Sequence, residues 1–341
     1  SDSEGYLIVT DASFSNSVVR FDLITKTVSA SLGDHSGGFT PGLAVLGDRL
    51  YVLDQGSFTD PASGGIKVYD TQANTLVAGP ITAGLPPNSI AFIEEGTGSP
   101  FDFSVFDAVV ATSDFSSGGL SSLDLATHTA TNDVLSIHAD ARVRVRDDQV
   151  YVINRLGQDN IIVLEASDLA TPLLQFSTGN GTNPYDIAFA SDTKAYVSRY
   201  ASTHLLIVAP TSGDSLGTVD LSAFADTDGL PEASELALYD NHLFIACQRI
   251  DRDNGFAPTD ASIIAVVDTD TDTLIDTQGI VMAGKNPFGA EQRGDKWILS
   301  NVNTFGDLAD GGIEVIDLAN RETEGILLDE SAIGGNLGTL A

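Results

Sequence analysis

The sequence predicts an all-β protein, a single seven-bladed β-propeller of four antiparallel strands per blade spanning residues 1–341. Three observations predict it. Short runs of β-branched and aromatic residues with strand periodicity recur along the chain, separated by Gly, Asp, Ser and Thr. The runs group into seven similar units, each too small to bury both of its faces alone. The first unit lacks its opening strand, and a strand without a unit stands at the other end of the chain.

The clearest unit runs from Asn183 to Leu221, with strands expected at Tyr185–Ala190, Lys194–Arg199, His204–Ala209 and Leu216–Leu221. Its third strand and following turn belong to a recurring phrase: an aliphatic or aromatic residue, Asp, four residues, then Thr. It reads FDLITKT, YDTQANT, LDLATHT and VDTDTDT, with degenerate copies LEASDLA, VAPTSGD and IDLANRE. The anchors Asp22, Asp70, Asp124, Glu165, Ala209, Asp268 and Asp317 lie 41 to 59 residues apart. Second strands repeat as YLIVTD, YVLDQ, AVVATS, YVINR, YVSRY, LFIACQ and WILSNV, and first strands as PGLAVLG, NSIAFIEE, RVRVRDD, YDIAFAS, ELALYD and FGAEQRG. The missing first strand is supplied by NLGTLA, residues 336–341, which closes the ring.

Charge narrows the partners. There are 48 acidic and 16 basic residues, a net charge of −32, with 37 Asp and only 5 Lys. Such a field repels nucleic acid and anionic membranes, and favours cations. Aspartate also fills turns, the simpler account of its abundance. No apolar run reaches the roughly 18 residues of a membrane span. The lone Cys247, in the run LFIAC, reads as a buried apolar residue.

YVIN at Tyr151, YVSR at Tyr196, NPYDIAF at Asn183 and VDTDTDTLIDT at Val267 resemble the YVTN-repeat family of bacterial propellers. The resemblance covers all seven units, but its motifs specify blades rather than a ligand. It implies an exported or surface-anchored protein, with a lipid anchor before Ser1 as one form, and a ligand held on one face of the ring.

In a propeller the d–a and b–c loops gather on one face around the channel, and here those loops are the long, varied ones. Arg142, Arg155, Arg199 and Arg249, with Tyr185, Tyr200 and His204, form the expected ligand-binding rim, since arginine forks and aromatic planes suit anionic and planar groups. The competing reading pairs these arginines with acids of neighbouring blades such as Glu94, Glu95 and Glu235. Asp226, Asp228 and Glu232, in a loop eased by Gly229, are candidate calcium ligands; Asp251, Asp253 and Asn254 are a weaker set. Phe58, Phe115, Phe256 and Phe305 lie in b–c loops, where blade packing does not need them. They are candidate partner-binding residues.

Nucleophile elbows, zinc-protease helices and phosphate loops are absent from the sequence. The expected function is non-enzymatic binding outside the cytoplasm, of a small molecule or a protein, on the loop-rich face. The alternatives are a scaffold using the loop phenylalanines, and a calcium-dependent lactonase-like or quinoprotein-like enzyme.

Overall fold

The computed structural model describes residues 4–29, 31–32, 34–35, 40–57, 63–94 and 106–341. They form seven sheets arranged as the blades of a propeller, with strands a to d running outward from the channel. Blade 1 has Asn336–Leu340 innermost, then Glu4–Thr10, Asn16–Asp22 and Thr27–Val28. Thr10 pairs with Asn336, Val9 with Leu337 and Leu7 with Leu340, so the expected ring closure is present. The a strands of the next blades are Gly42–Leu46, Pro87–Glu94, Ala141–Arg146, Pro184–Ser191, Ala233–Tyr239 and Pro287–Arg293. Each contacts the next around the ring, and Asn336–Leu340 bridges the last to the first. In the Asn183–Leu221 unit the strands are Pro184–Ser191, Lys194–Arg199, His204–Val208 and Ser215–Asp220, within a residue or two of expectation.

Packing explains the near-continuous apolar b strands. Seven buried clusters lie one between each pair of adjacent blades. Successive side chains of one strand point to opposite faces, so Leu7 and Val9 pack toward blade 7 while Tyr6 and Ile8 pack toward blade 2. The aromatic residue near the start of several b strands is the wedge of such an interface: Tyr51, Tyr151, Tyr196 and Trp297 are all essentially fully buried.

The recurring aspartate is a turn device. In the hairpin Asp22–Thr27 the Asp22 carboxylate accepts the backbone N–H groups of Ile24 and Thr25, at 2.8 and 3.2 Å. Asp70 does the same for Gln72 and Ala73, and Asp268 for Asp270 and Thr271. The residue before the final Thr is left-handed in each: Lys26, Asn74, His128 and Asp272 have φ of 54, 54, 56 and 57°. The DTDTDT run is therefore a turn, as expected. Much of the acidity serves this local hydrogen bonding.

Two loop assignments change. The d–a connection before blade 4 is short, not long: the d strand Thr129–Ile137 is followed at once by Ala141–Arg146, leaving three residues between them. The long loop after Arg249 folds back as a small hairpin, Ile250–Asp251 against Ala257–Pro258, because the Asp251 side chain caps the turn through the N–H groups of Asp253 and Asn254. One Asp251 carboxylate oxygen, from the weaker of the two metal-ligand sets, is thereby engaged in this turn. Among the described residues, no helix is long and apolar enough to cross a membrane.

Candidate functional site

All seven a strands contribute to a cavity of about 900 Å³ at the channel mouth, on the face of the d–a and b–c loops. Its polar wall comes from blades 4 to 6. Arg142 and Arg144 stand two residues apart on one a strand and so share a face. Arg142 Nη2 donates to Glu235 Oε1 at 2.8 Å, and its guanidinium lies 4.4 Å from the centre of the Tyr185 ring. Arg144 pairs with Asp186 at 2.8 Å and with the second Glu235 oxygen at 3.5 Å. Arg155 lies over the same Tyr185 ring at 4.5 Å and pairs with Asp140 at 3.2 Å. Tyr200 stacks on Tyr185 with centroids 5.6 Å apart, and its hydroxyl donates to Gln248 Oε1 at 2.7 Å. Gln248 in turn donates to the Pro287 carbonyl at 2.6 Å, which carries the network to blade 7.

Electrostatics follow from this crowding. Burial alone would raise Glu235, but Arg142 and Arg144 outweigh it and hold its carboxyl below the ordinary value. Asp186 is driven up by burial against the pull of Arg144. Glu291, also on the cavity wall, is raised by burial. Tyr185 and Tyr200 are raised chiefly by burial and stay neutral donors. The expectation that the arginines meet acids of neighbouring blades thus applies to Arg142, through Glu235.

Exposed apolar rings from blades 3, 6 and 7 also line the mouth. Phe115, Phe256 and Phe288 line the cavity, exposed by 67, 59 and 47%. A second groove of about 460 Å³ adjoins it and shares Phe256 and Phe288, continuing to Phe305 and Val302. Phe305 stacks on Phe14 at 5.4 Å. Phe14, Phe115, Leu156 and Phe256 all hold positive φ, at 61, 68, 42 and 62°. Bulky residues seldom adopt that conformation, and each of these also leaves most of its apolar surface in water.

Of the sequence-predicted rim residues, Arg142, Arg155, Tyr185 and Tyr200 come together at the cavity. The other three lie off its wall. Arg199 is buried inside blade 5, where Nε and Nη1 donate to the carbonyls of His204 and Thr178 at 2.8 and 3.1 Å, and burial lowers its pKa. His204 is exposed and meets Thr203 Oγ1 at 2.9 Å. Arg249 turns back onto its own loop, donating to the Ala261 carbonyl at 2.8 Å. Phe115 and Phe256 line the main cavity and Phe305 the groove, while Phe58 lies outside the described residues.

Sequence reasoning missed Phe14, Leu156, Gln248 and Phe288. Phe14 had a signal: TDASFSN places it in the b–c loop of blade 1, as SDFSS places Phe115 in that of blade 3. With Tyr200, every blade carries an aromatic or large aliphatic residue in this loop. Gln248 had none, because its role depends on a tyrosine 48 residues away.

The predicted metal ligands do converge. One carboxylate oxygen from each of Asp226, Asp228 and Glu232 lies within 4.8 Å of the other two. Asp226 accepts from Thr259 Oγ1 at 2.9 Å, and Asp228 from the backbone and Nε of Arg252 at 3.2 and 3.1 Å. Burial, with Asp228 and Asp226 beside it, pushes Glu232 up to about 8.

No protein-family model matches the sequence, and no curated protein matches it significantly. Solved structures do match in fold. A protein of unknown function from Desulfotomaculum acetoxidans DSM 771 superposes with TM-score 0.65 at 13% identity, over 98% of both chains. A candidate 6-phosphogluconolactonase of Bacteroides fragilis NCTC 9343 gives 0.62 at 16% identity, over 100% of this chain and 98% of the other. One from Bacteroides uniformis ATCC 8492 gives 0.62 at 13%, over 94 and 95%. At such identities the likeness concerns fold, and the YVTN-repeat resemblance rests on the blade motifs alone. The chain is a seven-bladed β-propeller built like these proteins, over its whole length.

Proposed function

We propose that the protein is a non-enzymatic binding propeller that captures a small organic ligand at the channel mouth. One observation carries this reading: a cavity of about 900 Å³ is lined both by a hydrogen-bonded tyrosine–arginine wall and by exposed phenylalanines, of which Phe115 and Phe256 are held at positive φ. Both backbone strain and apolar exposure oppose stability, and a ligand covering Phe115, Phe256 and Phe288 offsets the second. The arginines are already paired with Asp140, Asp186 and Glu235, so the wall offers hydrogen bonds and planar faces rather than net positive charge. A ligand with a flat apolar part and a polar edge suits such a site. Export beyond the cytoplasm and a place among YVTN-repeat propellers belong to the same proposal, supported by the acidity and the blade motifs.

A second reading has its own observation. The apolar residues Phe14, Phe115, Leu156, Phe256 and Phe305 are spread over five blades, wider than one small ligand covers, which favours a protein partner on the same face. Native mass spectrometry of the purified protein, with Phe256→Ala alongside, separates the readings. An organic mass retained by the wild type and lost in the variant supports capture. A bound polypeptide supports the scaffold. A protein that carries no ligand and hydrolyses 6-phosphogluconolactone, the substrate implied by the name of its structural neighbours, overturns both.

A further inference from the structure

Outside the cavity, one cluster of side chains is out of electrostatic balance. Asp226, Asp228 and Glu232 bring three carboxylates together, and the only cation that reaches them among the described residues is Arg252. With all three ionised, three negative charges meet one positive and the cluster carries an excess of −2. Two of the carboxylates have almost no contact with water: the side chains of Asp228 and Glu232 are 4 and 0% exposed. A surface turn relieves like-charge repulsion by hydration, which is closed to this pair.

Glu232 supplies an independent observation. Its Oε2 accepts the Ile250 N–H at 3.3 Å, but its buried Oε1 accepts no hydrogen bond. Arg252 Nε lies 3.6 Å from Oε1, beyond hydrogen-bond distance, and that same Nε is engaged with Asp228 at 3.1 Å. A fully buried carboxylate oxygen without a donor, facing two more carboxylates, is a cation ligand in want of a cation. All three ligands are hard oxygens and no His or Cys joins them, which selects calcium chemistry over zinc or copper.

We infer that Asp226, Asp228 and Glu232 form a calcium site that fastens the Ile250–Pro258 hairpin to the loop preceding blade 6. The two segments already meet there: Arg252 N–H donates to Asp228, Thr259 to Asp226 and Ile250 to Glu232. A divalent ion balances the charge of −2 and leaves its remaining positions to water. The Arg252 side chain, one-third exposed, has room to swing outward as the ion enters. The hairpin carries Phe256 to the cavity mouth, so the ion sets the position of a residue on the ligand-binding face.

The test uses the full chain, treated with a chelator, desalted and titrated calorimetrically with calcium chloride alone. One saturable site is expected, with a Kd of about 0.1–1 mM, the range of extracellular calcium modules. Asp226→Asn and Glu232→Gln should each weaken binding at least tenfold, whereas Asp270→Asn, in an exposed outer hairpin, should leave it unchanged. Calcium at 10 mM should raise the melting temperature of the wild type and not of Glu232→Gln, which keeps the side-chain shape if Asp226→Asn fails to fold. Absence of heat and of a thermal shift up to 10 mM calcium, or equal binding by Glu232→Gln, overturns the assignment. The cluster is then balanced by Arg252 and a proton. Neither outcome depends on the ligand of the cavity.

Discussion

Arg142 and Glu235 lie 93 residues apart in the chain, and their side chains meet at 2.8 Å across the inner ends of blades 4 and 6. Blade 5 lies between them and adds Asp186, held by Arg144, so one ionic lattice ties three a strands together. Removing one member leaves the others buried and unbalanced. Glu235→Ala should therefore destabilise the protein by about 3 kcal/mol, the lower end for breaking a buried pair, because Arg142 keeps 22% of its side chain exposed. Denaturant unfolding checks this. A loss below about 1 kcal/mol would mean that solvent already screens the lattice.

Phe115 and Phe256 offer an opposite kind of substitution. Glycine at either position relieves a left-handed backbone that a non-glycine residue holds at a cost of about 1–2 kcal/mol, partly offset by the freedom glycine gains in the unfolded chain. Phe115→Gly and Phe256→Gly should leave stability unchanged or raise it by up to about 1 kcal/mol, while abolishing capture at the mouth. Thermal melts paired with native mass spectrometry read both effects. A clear loss of stability would show that these rings pack against the fold rather than wait for a ligand.

Ring closure rests on a short strand. Leu337 and Leu340 are 4 and 2% exposed between blades 7 and 1, and the Tyr6 and Ala341 backbones exchange hydrogen bonds at 2.7 and 2.9 Å. Leu340→Ala should cost about 3 kcal/mol, typical of a large-to-small change in a packed core. Deleting residues 336–341 should lower the melting temperature far more, since it removes the inner strand of a blade. An unaltered melt for the deletion would show that the ring is stable open.

Acid stability follows from the turn aspartates. Asp317 is lowered to about 2 by its hydrogen bonds to Lys296 and the Asn320 N–H, and Asp22, Asp70, Asp124 and Asp268 are lowered chiefly by backbone N–H groups. For a group whose folded pKa is depressed, stabilisation is complete above the unfolded value near 3.9 and is lost as pH falls through the folded value. Unfolding on acidification should set in below about pH 4 and progress toward pH 2. Asp317→Asn should shift that transition to higher pH in a circular-dichroism titration and weaken its slope. A transition already complete at pH 5 would place the acid-sensitive groups elsewhere.

The aspartate hairpins also show why the blades were readable in the sequence. Asp, four residues, then Thr is a local device, complete within one turn, and it marks each unit wherever it occurs. The alternation of Leu7 and Ile8 toward different neighbours is equally local, since a strand buried on both faces must be apolar throughout. Loop length identified the face on which the cavity opens.

The site was legible only in part. Arg155 and Arg199 end equivalent b strands one position apart, Arg155 four residues after Tyr151 and Arg199 three after Tyr196, so their side chains leave in different directions. Arg155 reaches out over Tyr185, whereas Arg199 turns inward to the carbonyls of Thr178 and His204. Phe14 was overlooked although its loop matches that of Phe115, because its meaning appears only when Phe305 stacks on it across the closure of the ring.

The sequence by itself therefore determined the number of blades, the strand order, the closing strand and the loop-rich face. These depend on strand periodicity and turn hydrogen bonds, which act within a few residues. Tertiary structure alone decided which arginines face the channel, which acids hold them, and how Glu232 comes to lie buried beside Asp226 and Asp228. Those outcomes depend on side chains that meet across blades, where the packing of the ring sets the distances and withdraws the water.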